Sequence, residues 1–369
     1  MIATTAAANS KLLISVEALD TFCVSALKKV GVSSANARIT SSVLVGTDSF
    51  GVFTHGVKSL RGYVRRLKSG GLRADASPAI VKQGPGWAIV DGHSGLGMVT
   101  STFAMKVAIE KARATGIGYA GVRNSCHFGA AGAYALQAAR AGLIGLAVAN
   151  DKPSVSVPGS RRPVLGSNPF AYAVPCGGGR PIFMDIATSA VAGGKIYQAQ
   201  TFGLPIPSNW LIDSEGVPTT DPNGYPETKT LVPMAAHKGY GLALFIEVLS
   251  AALTGAALTS RVGSWMADDP SLPTNHGAAF IAINVGSMVP LGSFKRNIDR
   301  VIAEIRSAPL AKGAKRIFVP GEIEWEKRDR ALKHGLELPS DVVASLEGLA
   351  ADLQMKLPRA PKQKQRHKP

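Results

Sequence analysis

Residues 101–121, STFAMKVAIEKARATGIGYAG, place a helix before a glycine-rich turn and a strand after it. That order removes the commonest way of building a nucleotide-binding α/β domain. The stretch STFAMKVAIEKARA carries apolar residues at helical spacing, with Ser101 as the expected N-terminal cap and Gly116 as the stop. Gly116, Gly118 and Gly121 then spell G-x-G-x-x-G. In a Rossmann unit this loop follows a strand and opens a helix, so that the helix N-terminus faces a pyrophosphate. Here the helix ends where the loop begins, and a strand starts near Tyr119. GGK at 193–195 is no phosphate loop either, because Ile196 stands where a Ser or Thr would hold magnesium.

The rest of the chain alternates in the same way. Residues 16–30 place Leu19, Phe22, Cys23 and Leu27 on one helical face before Gly31, and 35–48 repeat the pattern with Ile39, Val43 and Leu44. A third helix is expected from His55 to Lys68, ahead of Gly70-Gly71. Short apolar runs at 88–91, 118–124, 143–150, 170–174, 181–186 and 278–285 read as strands. Helices are expected at 130–142, 239–256, 294–308 and 340–355. The pattern is an α/β core with helical flanks. The expected organisation is a helical unit at 1–75 that packs with the C-terminal part, a core at 76–235 and 275–320, a small helical insertion at 236–274, and a C-terminal helix with a basic tail at 321–369.

A chain of 369 residues with 46% hydrophobic and 18% charged residues is globular, and long enough for two or three compact units. No apolar run reaches the roughly 18 residues that span a bilayer, and the N-terminus lacks the layout of a secretory signal. Cys23, Cys126 and Cys176 are too few and too scattered for a disulfide framework or a zinc site, which fits a cytoplasmic protein without a bound metal. The net charge of +16 invites an anionic ligand or nucleic acid, but part of it sits in the tail LPRAPKQKQRHKP, read as a solvated end. No aromatic-basic pattern or zinc-finger spacing supports nucleic acid, so none is expected as a partner.

Six stretches combine a polar group with a Gly- or Pro-marked turn: FTHGVKSLRGYVRRL, NSCHFGAAG, VLGSNPFAY, FMDIATSAVAGGK, GLPIPSNWLIDSEGVPTTDP and AHKGYGLAL. Together, over about Val16 to Glu322, they resemble the malate/L-lactate dehydrogenase family, whose relatives include ureidoglycolate and sulfolactate dehydrogenases and piperideine-2-carboxylate reductase. The resemblance implies an α/β, non-Rossmann NAD(P)-binding domain with a largely antiparallel or mixed sheet, flanked by helical domains, in an intertwined homodimer. It implies hydride transfer between a nicotinamide cofactor and a small anionic 2-hydroxy or 2-oxo acid. Two other readings stay open: a redox-inactive dinucleotide-binding regulator, and a reductase of a cyclic imino acid.

From the residues alone, His127 fits a packed histidine at a strand end better than a catalytic one. The resemblance reverses this and implies that His127 is the acid/base, a task an imidazole suits near neutrality. His55, in T-H-G, is a second candidate at the catalytic site. Where the family carries an arginine for the substrate carboxylate, this chain has Ser59, which leaves Lys58 or Arg61 as substitutes. The other reading of these cations is a solvated basic face continuing through Arg65 and Arg66. Asn168, in L-G-S-N-P, is expected to bind substrate or cofactor, or else to order its own turn. Asp185, Ile186 and Ala187 match dinucleotide-contacting positions, with a capping Asp as the alternative. Lys238, in H-K-G-Y-G, suits an anionic phosphate at a helix start. Asp151 is expected to accept from ribose hydroxyls, which favours NAD over NADP unless Lys152 reverses the inference. Cys126 is read as filler.

Overall fold

The computed structural model describes residues 12–358, so most of the basic tail lies outside the described residues. These residues divide into two compact units, 12–65 with 324–358, and 66–323. The boundaries fall inside the helices Leu60–Ser69 and Glu322–His334. Residues 236–274 lie within the larger unit.

In the smaller unit the helix Val16–Lys29 has complete local signals. Ser15 caps it by accepting from the Ala18 amide at 3.1 Å, Glu17 lies in its first turn, and Lys28 and Lys29 lie in its last. Leu19, Phe22, Cys23, Ala26 and Leu27 make its buried face. The helix Ser34–Ser49 packs beside it. Chain ends meet in a short antiparallel ladder of Leu12–Ile14 with Leu336–Leu338, and the helix Ser340–Asp352 follows. The helix expected from His55 starts later: His55 lies in a turn, Val57–Ser59 form one 3-10 turn, and the α-helix runs Leu60–Ser69.

A seven-stranded mixed sheet organises the larger unit. Its order is Ala79–Gln83, Trp87–Asp91, Ile117–Ser125, His276–Ile283, Ile144–Ala149, Phe170–Val174, Ile182–Ile186. Trp87–Asp91 and Ile117–Ser125 run parallel, and every other neighbouring pair is antiparallel. A Rossmann sheet is mostly parallel, so this mainly antiparallel topology agrees with the failed glycine-loop test. The helix Gly97–Thr115 starts four residues before the expected cap, and Ser101 is buried inside it. Its end at Gly116, with φ of 88°, is where the sequence places it. Gly118 serves packing: a Cβ there would sit 2.1 Å from the Ala108 carbonyl oxygen, so glycine lets this helix lie directly on the strand.

The long apolar helix begins at His237 rather than 239 and runs to Glu247, followed by a π-helical turn at Val248–Ala252. Elements without strong local signals also appear: the edge strand Ala79–Gln83, the helix Gly193–Phe202, and a three-stranded sheet of two-residue strands. Among the described residues no helix is long and apolar enough to cross a membrane.

Candidate active site

His127 follows the inner strand Ile117–Ser125 by two residues, between the buried side chains of Cys126 and Phe128. Phe128 stacks on Tyr134 with ring centroids 5.1 Å apart, and Tyr134 meets Phe280 edge-on at 5.5 Å. The Tyr134 hydroxyl donates to the Phe128 carbonyl. This cluster fixes the backbone on one side of His127. On the other, the first turn of the helix Gly97–Thr115 touches it so closely that a Cβ at Gly97 would lie 2.4 Å from the carbonyl oxygens of Cys126 and His127. The His127 imidazole lies flat against the Trp265 indole, at 4.5 Å and 15°.

The next strand supplies a second histidine. His276 pairs in register with Ser125 at the start of His276–Ile283. Its ring is buried, with Nδ1 2.9 Å from the Thr274 hydroxyl and Nε2 3.1 Å from Asp151 Oδ1. Asp151 follows the strand Ile144–Ala149, on the other side of His276–Ile283. Burial pushes its carboxyl up, but the His276 hydrogen bond and the charges of His276 and His127 outweigh this, and the net pKa lies below the ordinary value. Asp151 is therefore a carboxylate that electrostatically reaches both histidines. Its neighbour Lys152 pairs with Asp268 at 2.8 Å.

Asn168 is fully buried and holds this strand end from beneath. Its Oδ1 accepts from the Asp151 amide at 3.2 Å, and its Nδ2 donates to the Ala243 carbonyl at 3.0 Å and to Glu247 Oε2 at 3.1 Å. The amide expected to reach a ligand is spent inside the protein. Glu247 is itself buried and also accepts from the Thr259 amide at 2.8 Å and from Asn150 at 3.4 Å.

Asp185, on the edge strand Ile182–Ile186, accepts at 2.7 Å from the amide of Gly132, the first residue of the helix after the His127 loop. Burial raises its carboxyl to about 6, against the lowering effect of that hydrogen bond. Its surface is nevertheless exposed. Ile186 and Ala187 follow, both half-buried. Lys238 is exposed in the first turn of His237–Glu247, and its side chain makes no hydrogen bond or ion pair among the described residues. The first-turn amides of Lys238, Gly239 and Tyr240 donate to the carbonyls of Ala235, Met234 and Ala236, so it is the exposed Lys238 ammonium that fits an anionic phosphate. Cys126 is buried, and burial pushes its thiol up against smaller opposing effects, so it is no ready nucleophile.

His55, Lys58 and Arg61 belong to the smaller unit. His55 Nδ1 lies 2.9 Å from the Thr54 hydroxyl. Beneath that turn, the buried Asp48 accepts from the Val57 amide at 2.9 Å. Both candidate carboxylate anchors already hold protein carboxylates, Lys58 with Asp341 at 2.7 Å and Arg61 with Asp352 at 2.7 and 3.2 Å. Ser59, where the resemblance leads one to expect an arginine, is buried.

Trp265, His276, Glu247 and Arg66 were not singled out from sequence as site residues. Arg66, read as part of a solvated face, is 1% exposed. A signal existed for it: Val57, Leu60, Tyr63 and Arg66 recur every three residues, and the first three are apolar and fully buried.

The family model for malate/L-lactate dehydrogenases matches residues 14–347. The chain is 36% identical to the malate dehydrogenase of Pyrococcus abyssi, covering 90% of this chain and 92% of that one. It is 32% identical to ureidoglycolate dehydrogenase (NAD(+)) of Escherichia coli, over 89% of this chain and 93% of the other. The crystal structure of malate dehydrogenase from Entamoeba histolytica superposes with a TM-score of 0.89 at 32% identity, covering 95% of this chain and all of that one. The chain belongs to the malate/L-lactate dehydrogenase family.

Proposed function

We propose that this protein is a nicotinamide-dependent dehydrogenase that interconverts a small 2-hydroxy acid and its 2-oxo acid. The observation that carries this is His127, held at a strand end against Trp265 and within the field of the Asp151 carboxylate. Bound nicotinamide supplies or accepts the hydride. His127 gives a proton to the carbonyl oxygen in reduction and takes it back in oxidation. A carboxylate nearby favours the imidazolium that this exchange requires. Asp151 in turn is aimed by the Asn168 amide and by His276.

Asp185, Ile186, Ala187 and Lys238 are the residues we assign to the cofactor, with Lys238 toward phosphate and Asp185 toward a hydrogen-bond donor. NAD is favoured over NADP. The Asp151 carboxylate repels a 2′-phosphate, and the Lys152 cation that could offset it is paired with Asp268. The relative from E. coli carries NAD(+) in its name. His55 is proposed as a second catalytic residue, with Lys58 or Arg61 as carboxylate anchor.

A homodimer is proposed as the working assembly. Leu244 and Phe245 on His237–Glu247 and Val248 in the π-helical turn after it are exposed, and Leu291–Ser307 buries none of its residues while exposing Val301 and Ile305. Light scattering after gel filtration tests it. A reducing, cytoplasmic location is proposed because Cys23, Cys126 and Cys176 are all free.

The deciding experiment is oxidation of NADH and NADPH in parallel across pyruvate, oxaloacetate, sulfopyruvate, 2,3-diketogulonate and piperideine-2-carboxylate. The reading expects turnover with one 2-oxo acid and faster use of NADH. His127→Ala should lose about 100- to 10,000-fold in kcat. A His127→Ala protein with normal turnover would remove the catalytic assignment, and cofactor binding without turnover on any acid would favour a redox-inactive regulator.

A further inference from the structure

Arg66 has the largest fully buried side chain among the described residues, and it makes no ion pair shown by its geometry. Instead its guanidinium donates to five backbone carbonyls of a single loop. Nε donates to Trp265 at 2.7 Å, Nη1 to Leu272 at 2.8 Å and Asp269 at 3.5 Å, and Nη2 to Ser264 at 2.6 Å and Asp268 at 3.2 Å. Loop 264–272 belongs to no strand or α-helix. Its other ties include the Gly71 amide, which donates to the Pro270 carbonyl at 3.1 Å, the Lys152–Asp268 pair, and Asp268, which accepts from the Ser264 amide at 2.8 Å. Five carbonyls of this loop are gathered by the planar fork of one arginine, which lysine cannot reproduce.

The loop reaches the candidate catalytic group through Trp265. Trp265 lies flat on His127, and the Arg66 Nε bond is to the carbonyl of Trp265 itself. We propose that Arg66 and Trp265 form one positioning device that fixes the His127 ring for proton transfer, a role that rests on His127 being the proton carrier. An imidazole transfers a proton well only when the nitrogen sits within about 2.6–3.2 Å of the reacting oxygen. The indole plate closes one face of the ring and stops it turning about its side-chain bonds. Arg66 holds that plate from behind, without touching substrate. Burying a guanidinium is costly unless its N–H groups are satisfied, and here all the partners belong to the segment that carries Trp265. The device should act on kcat and leave ground-state binding alone.

The test compares Trp265→Ala, Trp265→Phe, Arg66→Lys and the double variant Arg66→Lys/Trp265→Ala in the full chain. Trp265→Ala should lower kcat about 10- to 100-fold, with KM for acid and cofactor within about threefold. Trp265→Phe, which restores an aromatic plate, should recover most of that loss. Arg66→Lys should match Trp265→Ala, and the double variant should be no slower than the slower single one, because both changes break one device. Acrylamide should quench an additional indole in Arg66→Lys, and that extra quenching should vanish in the double variant. Wild-type kcat in Trp265→Ala, multiplying effects in the double variant, or unchanged quenching in Arg66→Lys would each overturn the proposal. If Arg66→Lys does not fold, the contrast between Trp265→Ala and Trp265→Phe decides. A wild-type protein that turns over no acid overturns the functional reading, whereas turnover that survives Trp265→Ala overturns this proposal alone.

Discussion

Nε2 of His276 lies 3.1 Å from Oδ1 of Asp151, although these residues sit on separate strands far apart in sequence. An ionised Asp151 can only accept, so Nε2 carries the proton and Nδ1 faces the Thr274 hydroxyl. His276 thus orients the carboxylate that reaches His127. Asp151→Ala leaves a buried N–H without its acceptor and should cost about 1–3 kcal/mol of stability. Asp151→Asn retains an acceptor but removes the charge. It should move the proton-dependent limb of the kcat/KM profile to lower pH, because the imidazolium loses a stabilising neighbour. An unshifted limb would show that Asp151 does not act on His127.

The two carboxylates of this region titrate with opposite consequences. Asp151 is held below the ordinary carboxylate range, so its stabilising contribution is present above the unfolded value of about 3.9 and is lost as pH falls through the folded value. Asp185 is raised to about 6, so its contribution is full below about 3.9 and is lost as pH rises toward and through 6. Asp185→Asn keeps an acceptor for the Gly132 amide and abolishes that titration. Its melting temperature should fall less than that of the wild type between pH 4 and 7. Parallel melting curves for the two proteins would refute the assignment.

Lys238 is the free cation at a helix start in the larger unit that the cofactor reading relies on. Lys238→Ala should weaken NADH binding about 10- to 100-fold, the loss of a charged hydrogen bond. At saturating cofactor kcat should stay within about twofold, since the interaction is made equally in ground and transition states. Fluorescence titration of NADH reads this directly. Unchanged affinity would place the phosphates elsewhere.

Lys58 and Arg61 can be separated by kinetics. Each holds an exposed aspartate, and such surface pairs are worth only about 0–1 kcal/mol, so a substrate carboxylate can displace either partner. Alanine at the true anchor should raise KM for the acid by about tenfold or more. Alanine at the other should leave KM unchanged. If neither changes KM, both cations belong to the ion-paired surface of the smaller unit.

Gly97→Ala tests the contact that seats the His127 backbone. The added methyl would meet two carbonyl oxygens at 2.4 Å. The strain should cost about 1–3 kcal/mol, at roughly 2–4 °C of Tm per kcal/mol, and kcat should fall with it. A variant of full stability and activity would mean that the helix start yields without moving His127.

What could be read from the linear chain was local. The helix at Val16–Lys29 carries its cap, its apolar face and its terminal charges within its own residues, so it is legible without a partner. The helix-then-strand order around Gly116 excluded a Rossmann unit for the same reason, and the stretches around His127 and Lys238 were long enough to indicate the family. Helix starts were less legible: at Gly97 the start is set by close packing against the His127 backbone, which no capping residue announces. Only the tertiary structure brought Ser125 beside His276 and His276 beside Asp151, because strand order is chosen by which apolar faces pack together. The same holds for Arg66 and Trp265. Side-chain periodicity reports which face of an element is apolar, and an arginine on that face stays ambiguous until the loop carbonyls that satisfy it are folded around it.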